Sequence, residues 1–423
     1  MRNIDFFQGR RVTIIGLGVT GFACAKLLHN LQAQVKVTDN QDNPAIRQFG
    51  AELVAKGLKI EIGRHSREFF AESDLLVVSP GVPDTNPVIT WALKAGIPAL
   101  SEIEIAWMLC PAEVIAITGS GGKTTVTTLI AKVIEASGRK VFACGNIGNA
   151  FCSEVEKMGA EDLVALEVSS FQLKRIKDFK PKIALMLNFS KNHLDWHKDM
   201  REYLEAKKRI FLNQDSFDFL LINQLDPELK RLGREAKSKV IFFSADKEFN
   251  PNQAAVLAVA KVLGIKKDIC AKAFAEFRGL EHRMEYCGEI GGVRFINDSK
   301  ATLAESTLWA LENISTPVIL IAGGRDKGAE YAKIIPAARS KVKQVILVGE
   351  AKEKIRQALG ESLVIGEADT LEEAVKKAYQ QASPGDCVLL SPMCSSFDMF
   401  KNYAERGNLF KQAVAELSKN SSL

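Results

Sequence analysis

The stretch Ile117-Thr118-Gly119-Ser120-Gly121-Gly122-Lys123-Thr124-Thr125 lies between an apolar run, residues 114–117, and a helix-like segment, residues 126–137. Strand, glycine-rich turn, Lys-Thr pair and helix is the order in which backbone amides cradle phosphate oxygens at a helix N-terminus. In that arrangement Lys123 neutralises β and γ oxygens of a nucleotide, and Thr124 or Thr125 ligates Mg²⁺. The glycine that opens the usual phosphate loop, five residues before the Gly-Lys pair, is here Ile117. The shortened loop argues against an ordinary GTPase or kinase and is the mark of this site.

Outward from that loop, short β-branched runs alternate with longer helical patterns, which predicts an α/β fold of parallel sheets flanked by helices. Three domains are expected: residues 1–102 and 282–423 Rossmann-like, residues 103–281 a P-loop-type nucleotide domain. The first contains the runs "RVTIIGLGVTG", "VKVTD" and "LLVVSPGVP". The second contains "EVIAITGSGGKTT", "DLVALEVSS", "KIALMLNFS" and "FLLINQ", and the third "VRFINDS", "VILIAGG", "KQVILVG" and "CVLLSP". In the first block, residues 16–21 fit G-x-G-x-x-G after a strand, and Asp39 ends the next strand. Three readings of that turn stand: an NAD site, a site for another diphosphate such as that of a UDP-sugar, or a turn that only packs strand on helix.

With 423 residues, 47% of them hydrophobic and 25% charged, the chain has apolar material for several cores. The net charge of +5 comes with Lys and Arg spread along the whole length, so no clustered basic face points to nucleic acid. Eight cysteines form no C-x-x-C pair, so reduced thiols in a cytoplasmic protein are expected rather than a zinc ribbon or disulfide framework. No apolar run approaches the ~18 residues of a membrane span, and no signal peptide is apparent.

Further candidates follow the strands of the second block. Glu167 ends one run, and His193, Asp195 and His197 follow the next, so all are expected at the carboxyl edge of the sheet, where open α/β sheets bind ligands. A carboxylate at one strand end and an imidazole at the next could share magnesium ions with ATP. Lys207, in the charged helix "YLEAKKRIF", reads by itself as a solvated lysine.

Taken in order, "TGSGGKTT", "GNIG", "LEVSSFQL", "NHLDWH", "EAKKRIF", "EHRME", "NDSKAT" and "SPMCSSFDMFKNYAERG" make the chain resemble the Mur ligases over almost its whole length. The closing motif resembles the branch that adds D-glutamate. The resemblance implies an ATP-dependent, ADP-forming amide ligase of peptidoglycan precursor synthesis that works through an acyl phosphate. Its substrates would be UDP-N-acetylmuramoyl-L-alanine, D-glutamate and ATP, in a cytoplasmic monomer with no nucleic-acid or membrane partner. It implies that Gly18, Val19, Thr20, Thr38, Asp39, Asn40 and Asn146 bind the UDP-sugar. ATP falls to Gly119, Ser120, Gly121, Gly122, Lys123, Thr124, Thr125, Gln253, Arg283 and Asp298. Two Mg²⁺ sites fall to Thr124, Glu167, His193 and Lys207, with Lys207 carbamylated by CO₂. Lys123, Glu167, His193 and Lys207 form the catalytic set. D-Glutamate falls to Lys300, Thr302, Lys327, Ser396, Phe397 and Tyr403, and the C-terminal domain is expected to close over ATP.

The charges of the last group make sense without the resemblance. D-Glutamate carries two carboxylates, and Lys300 and Lys327 are cations placed after two predicted strands of one domain. The chain departs from the family pattern at Ser120-Gly121, where Thr-Asn is usual, and at residues 249–253, "FNPNQ", where Gln253 stands for an adenine-binding Asn. Competing readings are a sister ligase or folylpolyglutamate synthetase, an NAD-dependent oxidoreductase using residues 16–21, and a nucleotide switch without bond formation. The oxidoreductase leaves the Lys123 loop unexplained, and the switch needs no amino-acid pocket.

Overall fold

The computed structural model describes residues 1–190, 196–277, 279–326 and 328–420. The chain divides into two compact units, Met1–Phe277 and Arg278–Leu423.

The first unit holds two sheets. One is built from β1 (Arg11–Ile15), β2 (Gln34–Asp39), β3 (Lys59–Ile62), β4 (Leu75–Val78) and β5 (Ala99–Ser101) in the order β3-β2-β1-β4-β5. The second is built from β6 (Glu113–Thr118), β7 (Val141–Gly145), β8 (Leu163–Glu167), β9 (Ile183–Met186), β10 (Phe219–Asn223) and β11 (Lys239–Phe243) in the order β11-β10-β9-β6-β8-β7. Every pairing in both is parallel. Strand order reverses beside β1 in one sheet and beside β6 in the other, and open α/β sheets bind ligands at such switch points. The two glycine-rich turns leave those two strands.

Local chemistry sets the helix starts. Asn43, Asn86, Asp226 and Asn250 cap helices that begin with proline, and Ser101 caps Glu102–Leu109. Each cap oxygen accepts an amide that the helix itself cannot pair. The helix Glu102–Leu109 carries the chain from the first sheet to the second, and residue 102 is its first residue. Its Ile103, Ile105, Ala106 and Leu109 join Phe7, Val12, Leu27, Phe151 and Phe179 in one apolar core that spans both sheets. Glu104 anchors it: its carboxylate accepts the amides of Lys177, Asp178 and Phe179 at 2.8, 2.9 and 3.0 Å.

The second unit has one sheet: β12 (Glu285–Ile290), β13 (Val293–Asn297), β14 (Val318–Gly323), β15 (Val342–Val348), β16 (Ile365–Glu367) and β17 (Cys387–Leu390), in the order β12-β13-β17-β14-β15-β16. Only β12 runs antiparallel. Apolar clusters cover both faces, with Ala310, Ile334 and Ile355 on one side and Leu371, Val375 and Phe410 on the other. The architecture is the expected α/β plan of mainly parallel sheets. Among the described residues no helix is long and apolar enough to cross a membrane.

Candidate active site

In the first unit, β6 ends at Thr118 and the helix Lys123–Ala136 begins with Gly122 as its N-cap, in the left-handed region at φ +78°. A side chain there would be strained, and its Cβ would also meet Asn252 Oδ1 at 2.7 Å. The turn is stapled from outside. Asn188, two residues past β9, accepts the Gly121 amide on Oδ1 at 2.8 Å and donates to the Gly121 carbonyl at 3.2 Å. Its own carbonyl accepts the Ser120 amide at 3.1 Å. Sequence reasoning missed Asn188, although a polar residue just past a strand run was the available signal.

Two lysines converge on this turn. Lys123 Nζ donates to the Gly119 carbonyl at 3.0 Å, and Lys207 Nζ donates to the same oxygen at 2.8 Å. Lys207 is 2% exposed, unlike the solvated residue its helix pattern suggests. Its Nζ lies 4.6 Å from the Tyr203 ring centre, and burial plus the nearby Lys123 charge hold its pKa well below the usual lysine range, against the pull of Glu167. Glu167, at the end of β8, is 2% exposed. Its Oε1 accepts Asn146 Nδ2 at 2.8 Å, whereas Oε2 is buried without a hydrogen-bond partner among the described residues. A partnerless buried carboxylate oxygen beside a phosphate-type turn fits a divalent cation, which prefers oxygen ligands. Thr124 is buried in the first turn of the helix. His193 and Lys327 lie outside the described residues.

Gln253 sits near this turn but is engaged elsewhere. Its Oε1 accepts the Asn250 amide at 3.0 Å in a capping box, and Asn252 is the side chain of that helix that faces Gly122.

The turn after β1 is held differently. A Cβ on Gly21 would collide with the Gly16 carbonyl oxygen, so only glycine lets the helix Val19–Asn30 approach β1 this closely. Asp39 accepts the Leu17 amide at 2.6 Å and the Gln41 amide at 2.8 Å. The Thr38 hydroxyl lies 2.8 Å from His65 Nδ1 and 3.1 Å from the Arg64 carbonyl. Thr38 and Asp39 are buried, whereas Gly18, Val19 and Asn40 are exposed at the sheet edge and Thr20 is half-buried. Beside this edge lies a cavity of about 270 Å³ lined by Ser79, Asp84, Lys174, Arg175, Trp196 and His197. His197 pairs with Ser170 Oγ at 2.9 Å and stacks on Phe171, with burial lowering its pKa. Its ring lies 5.1 Å from that of Tyr203, whose hydroxyl is 3.3 Å from Ser120 Oγ, so the cavity wall and the turn share one aromatic side chain.

In the second unit, β13, β17 and β14 are adjacent and parallel, so the segments that follow them emerge at one sheet edge. Asp298 and Lys300 follow β13, and Ser396 and Phe397 follow β17. Asp298 accepts Ser391 Oγ at 3.0 Å and the Met284 amide at 3.2 Å, and burial raises its carboxyl to about 6. Arg283, exposed, lies between His282 and Met284, both at positive φ. Lys300 Nζ lies 5.5 Å from the centre of the Tyr403 ring. The Lys300 carbonyl accepts the Thr302 amide at 2.9 Å. Ser396 is buried, Phe397 57% exposed and Tyr403 37% exposed.

Comparison with known proteins matches three stretches of the chain, two of them within the first unit. Residues 10–101 match the profile described as "Mur ligase MurD-like, N-terminal domain", 117–273 the "Mur ligase middle domain", and 282–394 the "Mur ligase, glutamate ligase domain". A UDP-N-acetylmuramoylalanine--D-glutamate ligase of Thermoanaerobacter sp. (strain X514) is 38% identical over 449 residues, covering 97% of this chain and 99% of that protein. One of Geotalea uraniireducens (strain Rf4) is 39% identical over 443 residues, covering 96% and 98%. The crystal structure of UDP-N-acetylmuramate-alanine ligase from Thermotoga maritima shares the fold, with a TM-score of 0.58, 17% identity and coverage of 96% and 99%. From residue 10 to residue 394 the profiles follow one another along the chain, and the relatives span nearly all of it: this chain belongs to the Mur ligase family.

Proposed function

We propose that the chain joins D-glutamate to UDP-N-acetylmuramoyl-L-alanine at the expense of ATP, as the name of its 38%-identical relatives says of them. The observation that carries the chemistry is the convergence of Lys123 and buried Lys207 on the Gly119 carbonyl, in one unit with the partnerless Glu167 oxygen. The alanine carboxylate attacks the γ-phosphorus of ATP, the bond to the ADP oxygen breaks, and an acyl phosphate forms. The D-glutamate nitrogen then attacks the acyl carbon, and inorganic phosphate leaves as the amide forms. Lys123 neutralises charge on the transferring phosphoryl group, which otherwise repels the incoming carboxylate. Two Mg²⁺ ions, one that Thr124 and Glu167 would hold and one that His193 and a carbamylated Lys207 would hold, would supply further charge neutralisation. A cationic Lys207 opposes a dication there. A depressed pKa exposes its neutral amine to CO₂, and the carbamate reverses its sign and supplies oxygen donors.

Residues 1–102 bind the UDP-sugar through the exposed edge at Gly18, Val19 and Asn40, with Thr20, Thr38, Asp39 and Asn146. Residues 103–281 bind ATP through residues 119–125, with Gln253 toward the adenine. Residues 282–423 add Arg283 and Asp298 for ATP, and Lys300, Thr302, Lys327, Ser396, Phe397 and Tyr403 for D-glutamate. The test is phosphate release with UDP-N-acetylmuramoyl-L-alanine and a panel of amino acids. Release should require both the UDP-sugar and D-glutamate. Better turnover with L-lysine, meso-diaminopimelate or L-alanine would overturn the substrate assignment.

A further inference from the structure

Arg406 heads the largest fully buried side chains among the described residues, at 1% exposure. It projects from the helix Tyr403–Asn420, and among the described residues every hydrogen-bond partner it has is uncharged. Its Nε donates to Ser299 Oγ at 2.9 Å and its Nη2 to the Ser299 carbonyl at 2.8 Å, while Nη1 and Nη2 both donate to the Cys394 carbonyl at 3.2 Å. Burying a guanidinium whose hydrogen bonds all go to uncharged groups is unfavourable even with the Asp398 carboxylate near enough to act on it, and an apolar side chain of similar volume could fill the same space. Its retention therefore calls for a reason other than packing.

The groups it holds supply one. Ser299 precedes Lys300, Cys394 lies two residues before Ser396, and the Ser299 hydroxyl donates to the Tyr403 carbonyl at 2.8 Å. The turn after the third central strand abuts it too, since a Cβ on Gly324 would lie 3.2 Å from Arg406 Nη1. One planar fork thus ties together the segments leaving β13 and β17, with the segment leaving β14 packed against it. Arginine's rigid donor geometry suits that task, and lysine's single ammonium does not.

We propose that Arg406 is a positioning residue for the amino-acid substrate: it holds the loops bearing Lys300 and Ser396 in register. This rests on the D-glutamate reading above. The test compares steady-state phosphate release by wild type, Arg406→Lys, Arg406→Met and Ser299→Ala, with Arg294→Met as a control, since Arg294 donates to Thr316 Oγ1. Loosened loops should raise KM for D-glutamate roughly 10-fold in Arg406→Lys and Ser299→Ala, and roughly 100-fold in Arg406→Met, as small misplacements of binding groups do. KM for ATP and for the UDP-sugar should stay within about 2-fold of wild type. Circular dichroism checks folding, and Arg406→Lys and Ser299→Ala carry the test if the methionine variant does not fold. Unchanged D-glutamate KM in those two, or equal shifts in all three KM values, overturns the role of Arg406 while leaving the substrate reading intact. A wild type that releases phosphate without D-glutamate overturns that reading and the proposal with it.

Discussion

The two glycine-rich turns of the first unit share a plan and differ in what surrounds them. Both leave a central parallel strand and enter a helix. Around residues 16–21 the fixed partners are neutral or acidic: Asp39 holds the Leu17 amide, and Ser79 Oγ donates to the Gly16 carbonyl at 2.9 Å. Around residues 119–122 stand two lysines and a buried carboxylate oxygen with no partner among the described residues. A turn of the first kind can hold a diphosphate through its backbone but has nothing that answers charge developing during transfer. The second has a cation, Lys123, already in place, where low dielectric strengthens it. Binding and chemistry thus call for one backbone shape with different side chains around it.

Replacing Lys207 attacks that difference most directly. Lys207→Ala should lower kcat by roughly 10³-fold or more, with partial recovery on adding a short-chain carboxylic acid, and Lys207→Arg should be as poor. Lys208, which pairs with Glu235 at the surface, should tolerate alanine. Near-normal phosphate release by Lys207→Arg would sink the carbamate.

Lys123→Ala removes the cation of this turn and should raise the barrier by about 3 kcal/mol, near what loss of one transition-state donor costs elsewhere. Calorimetric titration of the UDP-sugar should change little, because the other turn would hold it. Parallel loss of both would merge two sites that are kept apart here.

The helix joining the two sheets offers a pH test. Glu102 is 1% exposed, burial raises its carboxyl to about 7, and its Oε2 has no hydrogen-bond partner among the described residues. Its folded pKa exceeds the unfolded value, so the native state holds the proton longer and stability falls as pH rises from about 4.5 to about 7. Glu102→Gln keeps an acceptor for the Cys152 amide and removes the charge. It should match wild type near pH 4 and exceed it by up to about 3 kcal/mol at pH 8 in denaturant titrations. Equal stability at both pH values would contradict a proton-linked Glu102.

The smallest effects separate the glycines themselves. Gly21→Ala forces a Cβ onto the Gly16 carbonyl and should lose about 1–3 kcal/mol in thermal unfolding. Gly121→Ala meets nothing within 4 Å and should stay within about 0.5 kcal/mol. Reversed order would mean that the first turn is the more open one.

What the chain shows on its face, and what it hides, divides by the range of the interaction. The eleven apolar runs read from the sequence are the strands with neighbours on both sides, such as β1, β6, β8 and β17, whose apolar residues recur because both faces and both edges are covered. The strands not read as runs, β3, β5, β7, β11, β12 and β16, are all at sheet edges, where half-exposed patterns such as that of "KIEI" weaken the signal. The two glycine-rich turns and Lys123 were legible because glycine conformation and strand–turn–helix order are local properties. The place of Lys207 was not: its ammonium meets the Gly119 carbonyl across 88 residues, inside a helix whose pattern alone suggests a solvated face. Asn188 reaches Gly121 across 67 residues, and Arg406 reaches Ser299 across 107. No local pattern records such pairings. Only packing decides which polar groups are stripped of water, and therefore which must find each other.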